Sequence, residues 1–102
     1  MIQSLKFGLD NKTIESLNTI FAEYPQIEKV IIYGSRAKGN YKDGSDIDLV
    51  VVAPNVTVQD LLKIENEIEE LMLPYKIDLS LFHLIDNPKM KDHINRIGKV
   101  FK

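Results

Sequence analysis

The sequence predicts a mixed α/β, or α+β, fold: a small mixed sheet of three strands, or slightly more, packed with helices in the order α-β-(loop or short α)-β-α-β-α. Three observations carry that expectation. Three runs rich in β-branched and aromatic residues, at 30–33, 46–53 and 76–82, are too short for helices and are bounded by Gly, Pro or polar residues. Around them, apolar residues recur at helical spacing over 14–24, 58–72 and 90–97. The helical stretch between the second and third runs supplies the crossover that a parallel strand pair needs, expected to be right-handed.

The first helix starts after Asp10 or Asn11, either a competent N-cap. It carries Ile14, Leu17, Phe21 and Tyr24 on one face, and Pro25 stops it. Val30, Ile31, Ile32 and Tyr33 then form a buried strand that ends at Gly34, followed by a loop over 34–45 with room for one helical turn at 35–38. The second strand runs from Asp46 to about Ala53 and ends at Pro54; its Ile47, Leu49 and Val51 face opposite to Asp46 and Asp48, so one side packs while the other is acidic. Thr57 and Asp60 have capping-box spacing, Val58, Leu61, Leu62, Ile68, Leu71 and Met72 follow at helical spacing, and Pro74 closes that helix. The third strand carries one carboxylate, Asp78, near its beginning. Asn87 and Pro88 make an N-cap and first-turn pair for a last helix with Met90, Ile94 and Ile97, which Gly98 can end in a left-handed cap.

At 102 residues, 44% apolar and 27% charged, the chain is expected to be one domain, 1–102, around one small core. No apolar run approaches the roughly 18 residues of a membrane span. The amino terminus lacks a signal-peptide pattern, so a cytoplasmic location is expected. The absence of cysteine excludes disulfides and thiolate metal sites, leaving oxygen ligands and two scattered histidines. A formal charge of −2, from 13 basic and 15 acidic residues, provides no basic field for a nucleic-acid backbone, which makes long nucleic acid a poor candidate substrate. Arg36, Lys38 and Lys42, inside the glycine-containing loop, suit a small anion as readily as a polymer and read equally well as solvated loop charges. Lys89, Lys91, Lys99 and Lys102 are expected to solvate the last helix and tail.

Two carboxylates two residues apart in a strand point the same way, with Cα atoms roughly 6.5 to 7 Å apart. At about 5 Å, two ionised groups repel by about 3 kcal/mol at an effective dielectric near 20, so Asp46 and Asp48 call for a positive charge between them. If the glycine-serine end of the first strand is to meet the starts of the other two, the first strand must run antiparallel to the second and the third parallel to it. Ser35, Asp46, Asp48 and Asp78 then share one rim. Such a rim suits a hard cation, and Mg²⁺ typically binds one or two carboxylates together with substrate phosphates. Gly34 and Ser35 let backbone N–H groups and a hydroxyl approach phosphate oxygens closely. Metal and phosphate cradle together point to phosphoryl or nucleotidyl transfer on a two-metal site, with Asp78 on the nucleophile side. It is not a P-loop, since Asn40 and Tyr41 stand where Lys and Ser or Thr are required, and Val50 and Val51 break an EF-hand pattern.

The run Gly34, Ser35, Arg36, Ala37, Lys38, Gly39, then Ser45, Asp46, Ile47, Asp48, Leu49, then a lone aspartate in the next strand, resembles the signature of the polymerase-β-like nucleotidyltransferase superfamily. Along essentially its whole length the chain is similar to the minimal nucleotidyltransferases. The resemblance implies that Gly34 and Ser35, with Arg36, Lys38 and Ser45 beside them, hold the triphosphate of ATP or another NTP. It also implies that Asp46 and Asp48 bind the metals of a two-Mg²⁺ site and that Asp78 binds the metal nearest the nucleophile. Minimal nucleotidyltransferases are often antitoxins paired with a small helical HEPN ribonuclease, which they silence by moving AMP from ATP to a tyrosine; others form homodimers or pair with a helical substrate-binding protein. The function so implied is Mg²⁺-dependent transfer of a nucleoside monophosphate, AMP above all, to a hydroxyl of a partner protein. The alternatives are a non-catalytic module masking a helical partner, and transfer to a small-molecule hydroxyl at a subunit interface.

Several nearby residues have plainer readings. Asp43 before Gly44 is a turn residue. His83 at a strand end and His93 on a polar helical face are structural or solvated, and Tyr33 and Tyr41, which flank the loop, could stack on a base, though core packing explains Tyr33 as well.

Overall fold

The structure, a computed structural model, describes residues 6–102; the first five, part of the amino-terminal reading above, lie outside the described residues. The elements are α1 (Asn11–Ala22), β1 (Lys29–Tyr33), α2 (Gly34–Lys38), β2 (Ile47–Val52), α3 (Val58–Glu70), β3 (Ile77–Leu81), a 3-10 turn (Phe82–Leu84), α4 (Pro88–Ile97) and β4 (Lys99–Val100). They form one mixed sheet in the order β3-β2-β1-β4, with β1 antiparallel to both β2 and β4, and β2 parallel to β3.

The caps form as the residue types dictate. The Asp10 carboxylate accepts from Thr13 N at 2.8 Å, and Thr57 and Asp60 exchange reciprocal bonds of 3.2 and 3.1 Å. Asn87 Oδ1 accepts from Lys89 N at 2.9 Å.

Alternation along β2 divides the molecule into two packed layers. Ile47, Leu49 and Val51 are fully buried on the face covered by α1 and α3, against Leu17, Phe21, Ile64 and Ile68. Each such side chain contributes about 1.5–3 kcal/mol of burial. Val50, pointing the other way, packs with Tyr33 and Ile94 in a smaller cluster under α4. Tyr24 at the end of α1 donates to Glu67 of α3 at 2.8 Å, fastening the two helices of the larger layer.

The strand count falls within the expected range, and three other expectations, on Lys99, Gly98 and the start of β2, are corrected. The sheet has a fourth strand, because after Gly98 the chain turns along β1: Phe101 N donates to Val30 O at 2.8 Å and Val30 N to Lys102 O at 3.0 Å. Lys99 thus belongs to the sheet, its side chain exposed, rather than to a tail. Gly98 does not adopt a left-handed cap. Its φ of −59° and ψ of 145° are extended, and glycine is required there because a Cβ would meet the Ile94 carbonyl and lie 2.6 Å from Ile31 Cγ2. Finally, β2 begins at Ile47, which leaves Asp46 at the mouth of the strand.

Met72, just beyond the last residue of α3, has a φ of 53° and is 88% exposed. Glycine is the low-energy residue at such a helix end. Met72→Gly is therefore expected to stabilise the protein by about 1 kcal/mol, read as a thermal midpoint higher by about 4–8 °C.

Candidate active site

The carboxylates are placed by ladder register. Asp48 of β2 is the cross-strand partner of Asp78 on β3 and of Tyr33 on β1, so Asp78, Asp48 and Tyr33 stand abreast on one face of the sheet. Neighbouring strands lie about 4.8 Å apart, which fixes the scale of the spacing between the two aspartates. Asp46 lies two residues before Asp48, exposed at the rim. Within the described residues the one ion pair joins Arg96 to Asp92, so no cationic side chain neutralises these three carboxylates. The consequence appears at Asp48, half-buried in the middle. Burial pushes its pKa up, the charges of Asp78 and Asp46 push it further, and His93 partly opposes them.

The chain leaves β1 directly into α2. Gly34 has a φ of +73°, and a Cβ there would run into the Asp48 carboxylate, so glycine serves both the left-handed backbone and the close approach of β2. The residue before α2, Tyr33, makes no side-chain capping bond, which leaves the first-turn amides at Gly34 and Ser35 without a side-chain acceptor, Gly34 lying against Asp48. The Ser35 carbonyl accepts from Gly39 N at 2.9 Å and Asn40 N at 3.2 Å and so closes the loop behind them. Backbone donors and uncompensated carboxylates thus meet on one rim, an arrangement suited to a metal-bound polyphosphate.

Arg36 occupies a different place from the one expected of a triphosphate contact. Its side chain is 3% exposed and turns into the protein, donating from Nε and one terminal nitrogen to Ser45 O at 3.1 and 2.9 Å and from the other to Phe7 O at 2.9 Å. Its guanidinium lies between the rings of Tyr41 and Tyr75, 5.2 and 5.0 Å from their centroids. It braces the loop from behind. Ser45 is likewise engaged within the loop, its Oγ accepting from Lys42 N at 2.8 Å. Lys38 is exposed at the end of α2, and Tyr41, still exposed, lies against Gly8 and Arg36.

His93, read from the sequence as structural or solvated, lies beside the aspartate row. Half-buried on α4, it presents its ring edge to Tyr33 with centroids 6.2 Å apart, and its charge acts on Asp48. Only the docking of α4 across α2 and β1 brings it there; along the sequence it sits among Lys91, Asp92 and Asn95 and looks solvated. Tyr33 is buried, and its pKa is raised by burial first and then by Asp78 and Asp48.

Among the described residues no three His, Cys, Asp or Glu side chains enclose an ion by themselves. The donor set is all oxygen, open on one side and uncompensated, which fits a hard cation that completes its shell with phosphate oxygens and water.

The same pattern recurs in known proteins. A model of the "Polymerase beta, Nucleotidyltransferase" family matches residues 15–102. The Putative protein adenylyltransferase of Methanocaldococcus jannaschii is 32% identical over 76 residues, 74% of this chain and 76% of that protein. Among solved structures, a toxin-antitoxin with AMP-PNP superposes at a TM-score of 0.71 with 15% identity, covering 87% of this chain and 72% of that one. The Shewanella oneidensis complex of a tri-AMPylated HEPN toxin with its MNT antitoxin superposes at 0.66 with 13% identity, covering 89% of this chain and 70% of that one. These two likenesses show the fold; the family match, whose span includes Asp46, Asp48 and Asp78, and the archaeal relative carry the lineage. With the glycine-serine loop, Asp48 and Asp78 brought to one rim in the order that lineage requires, the chain belongs to the polymerase beta nucleotidyltransferase family.

Proposed function

We propose that this nucleotidyltransferase moves AMP from ATP to a hydroxyl of a partner protein, and that the partner is a helical HEPN-type toxin. The observation that carries the reading is the ladder pairing of Asp48 with Asp78 directly beside the open amides of Gly34 and Ser35. The archaeal relative's description as a protein adenylyltransferase and the toxin-antitoxin fold matches support the choice of acceptor.

Asp46 and Asp48 would hold Mg²⁺, with Asp78 as a further ligand on the acceptor side. When bound, the metal supplies charge neutralisation for the triphosphate and a lowered pKa for the attacking hydroxyl. Gly34 and Ser35 orient the phosphates through their amides. The acceptor oxygen attacks the α-phosphorus, the bond from that phosphorus to the bridging oxygen of the β-phosphate breaks, and pyrophosphate leaves. The hydroxyl proton passes to Asp78 or to water.

Incubating the chain with α-labelled ATP, Mg²⁺ and the product of the neighbouring gene should label that partner, with a mass increment of one AMP on a tyrosine. A stable complex that forms without any transfer would show masking instead.

His93, beside Asp48, is expected to position the leaving pyrophosphate. His93→Ala should lower kcat about tenfold, equivalent to about 1.4 kcal/mol of transition-state stabilisation, with KM for ATP changed less than twofold and His93→Gln recovering part of the loss. Equal kcat in all three proteins would assign His93 to packing against Tyr33 alone.

A further inference from the structure

We infer that the outer edge of β3, with the cleft beside it, docks the acceptor segment as an added strand, and that the segment carries apolar residues on either side of its reactive hydroxyl and basic residues farther out. The inference rests on the transferase reading for the identity of the occupant, but its binding test does not depend on catalysis.

Among the described residues β3 is an edge strand, paired on one side only. Ile47 N donates to Lys76 O at 2.9 Å, so in this parallel ladder Lys76, Asp78 and Ser80 direct their backbone groups toward β2 while Ile77 and Leu79 direct theirs to the open edge. An open row of backbone donors and acceptors is a template for strand addition.

Beside that edge lies a cleft of about 340 Å³ floored by Ile68, Leu73, Ile77 and Leu79. Glu65, Glu69 and Met72, spaced four and three residues apart on one stripe of α3 and its end, line it too, together with Tyr75 and one cation, Lys76. Met72 holds the left-handed position where glycine is lower in energy, yet its side chain is 88% exposed at this rim. That choice is explained if the side chain makes a contact.

Side chains of a strand alternate between faces. A segment added to β3 would therefore set one residue over the cleft and the next on the face of Asp78 and Asp48. A hydroxyl residue on the aspartate face has both neighbours over the apolar floor, and residues three positions away return to the cleft side, within the field of Glu65 and Glu69. Charge selects the occupant. Glu65 and Glu69 outweigh the single Lys76, so a symmetric dimer through this edge would bring two net-negative rims together, whereas Lys or Arg on a partner complements them.

The test titrates the ¹⁵N-labelled chain with the peptide Lys-Ala-Ile-Tyr-Leu-Ala-Arg, capped at both ends, and with a version in which Lys and Arg are Glu. Expected are amide shifts at Ile77, Leu79, Glu65, Glu69 and Met72, binding at least tenfold weaker for the acidic peptide, and reversal of that order in E65K/E69K. Those surface changes leave ATP binding unaltered. Shifts confined elsewhere, equal affinities for the two peptides, no binding at millimolar peptide, or the same amides shifting with chain concentration alone would each overturn the inference. Label transfer from ATP to the peptide tyrosine is read separately. Docking at β3 without transfer counts against the transferase reading and leaves the docking edge standing; transfer without shifts at β3 does the opposite.

Discussion

Asp48→Asn should abolish nucleotidyl transfer and, in the absence of metal, make the protein more stable at neutral pH. The first effect follows from the proposed role of Asp48 as a metal ligand at the centre of the carboxylate row: a loss of several kcal/mol of charge stabilisation lowers the rate by about a thousandfold or more. The second follows from the raised pKa of Asp48, caused by burial and then by Asp78 and Asp46. With its ordinary value at 3.8, Asp48 keeps its proton to higher pH in the folded chain than in the unfolded one. Folding is therefore favoured by Asp48 below its ordinary value, and that contribution is lost as pH rises through the raised value. Asparagine has the same shape and no charge to desolvate, so the variant escapes the loss. Urea midpoints measured from about pH 4 to 7, a range spanning the ordinary carboxylate value and its raised counterpart, should fall with pH in the parent and stay flatter in the variant. Saturating Mg²⁺ should close the gap by stabilising the parent alone. Parallel pH profiles would show that the carboxylates do not repel in the free protein. Asp46→Asn, at the exposed mouth, should match the loss of transfer with little change in stability.

The second large effect is at Arg36. Arg36→Ala removes three hydrogen bonds made by a buried cation, leaves the carbonyls of Ser45 and Phe7 without a donor, and empties the space between Tyr41 and Tyr75. A cost of about 3 kcal/mol is expected, a fall in thermal midpoint of about 12–24 °C for a domain of this size. Arg36→Lys should recover little, because an ammonium cannot reach both carbonyls from one planar fork. At temperatures where the variant is still folded, its KM for ATP should rise while its kcat holds, since the residue braces the proposed phosphate loop from behind. An unchanged melting curve would refute the bracing role.

The contrast between Asp48 and Arg36 shows what was legible in the sequence. Alternation along 46–53 told which side of β2 is acidic, and the crossover helix told that Asp78 would arrive on a parallel neighbour; both depend only on local period and chain connectivity. Arg36 and Lys38 look alike as loop charges two residues apart. Helical turning of α2 sends one inward and the other out, and the carbonyls that receive Arg36 belong to residues 9 and 29 positions away along the chain. β4 was invisible because two residues have no period, and its pairing is decided by the tight passage at Gly98. The place of His93 beside Tyr33 was not legible because its neighbours along α4 are polar, while the face it presents is set by how α4 lies on the sheet.

β2 places Ile47, Leu49 and Val51 in one layer and Asp48 and Val50 in the other, with no spare residue between them. An insertion or deletion inside this strand would turn the acidic row and the hydrophobic row over together. The chain therefore cannot lose its chemistry by sliding while keeping its core. On the proposed mechanism, relatives that fold but no longer transfer are expected to carry substitutions at site residues such as Asp46, Asp48 or Asp78 with β2 kept in phase, so the spacing of the apolar positions should outlast the carboxylates themselves.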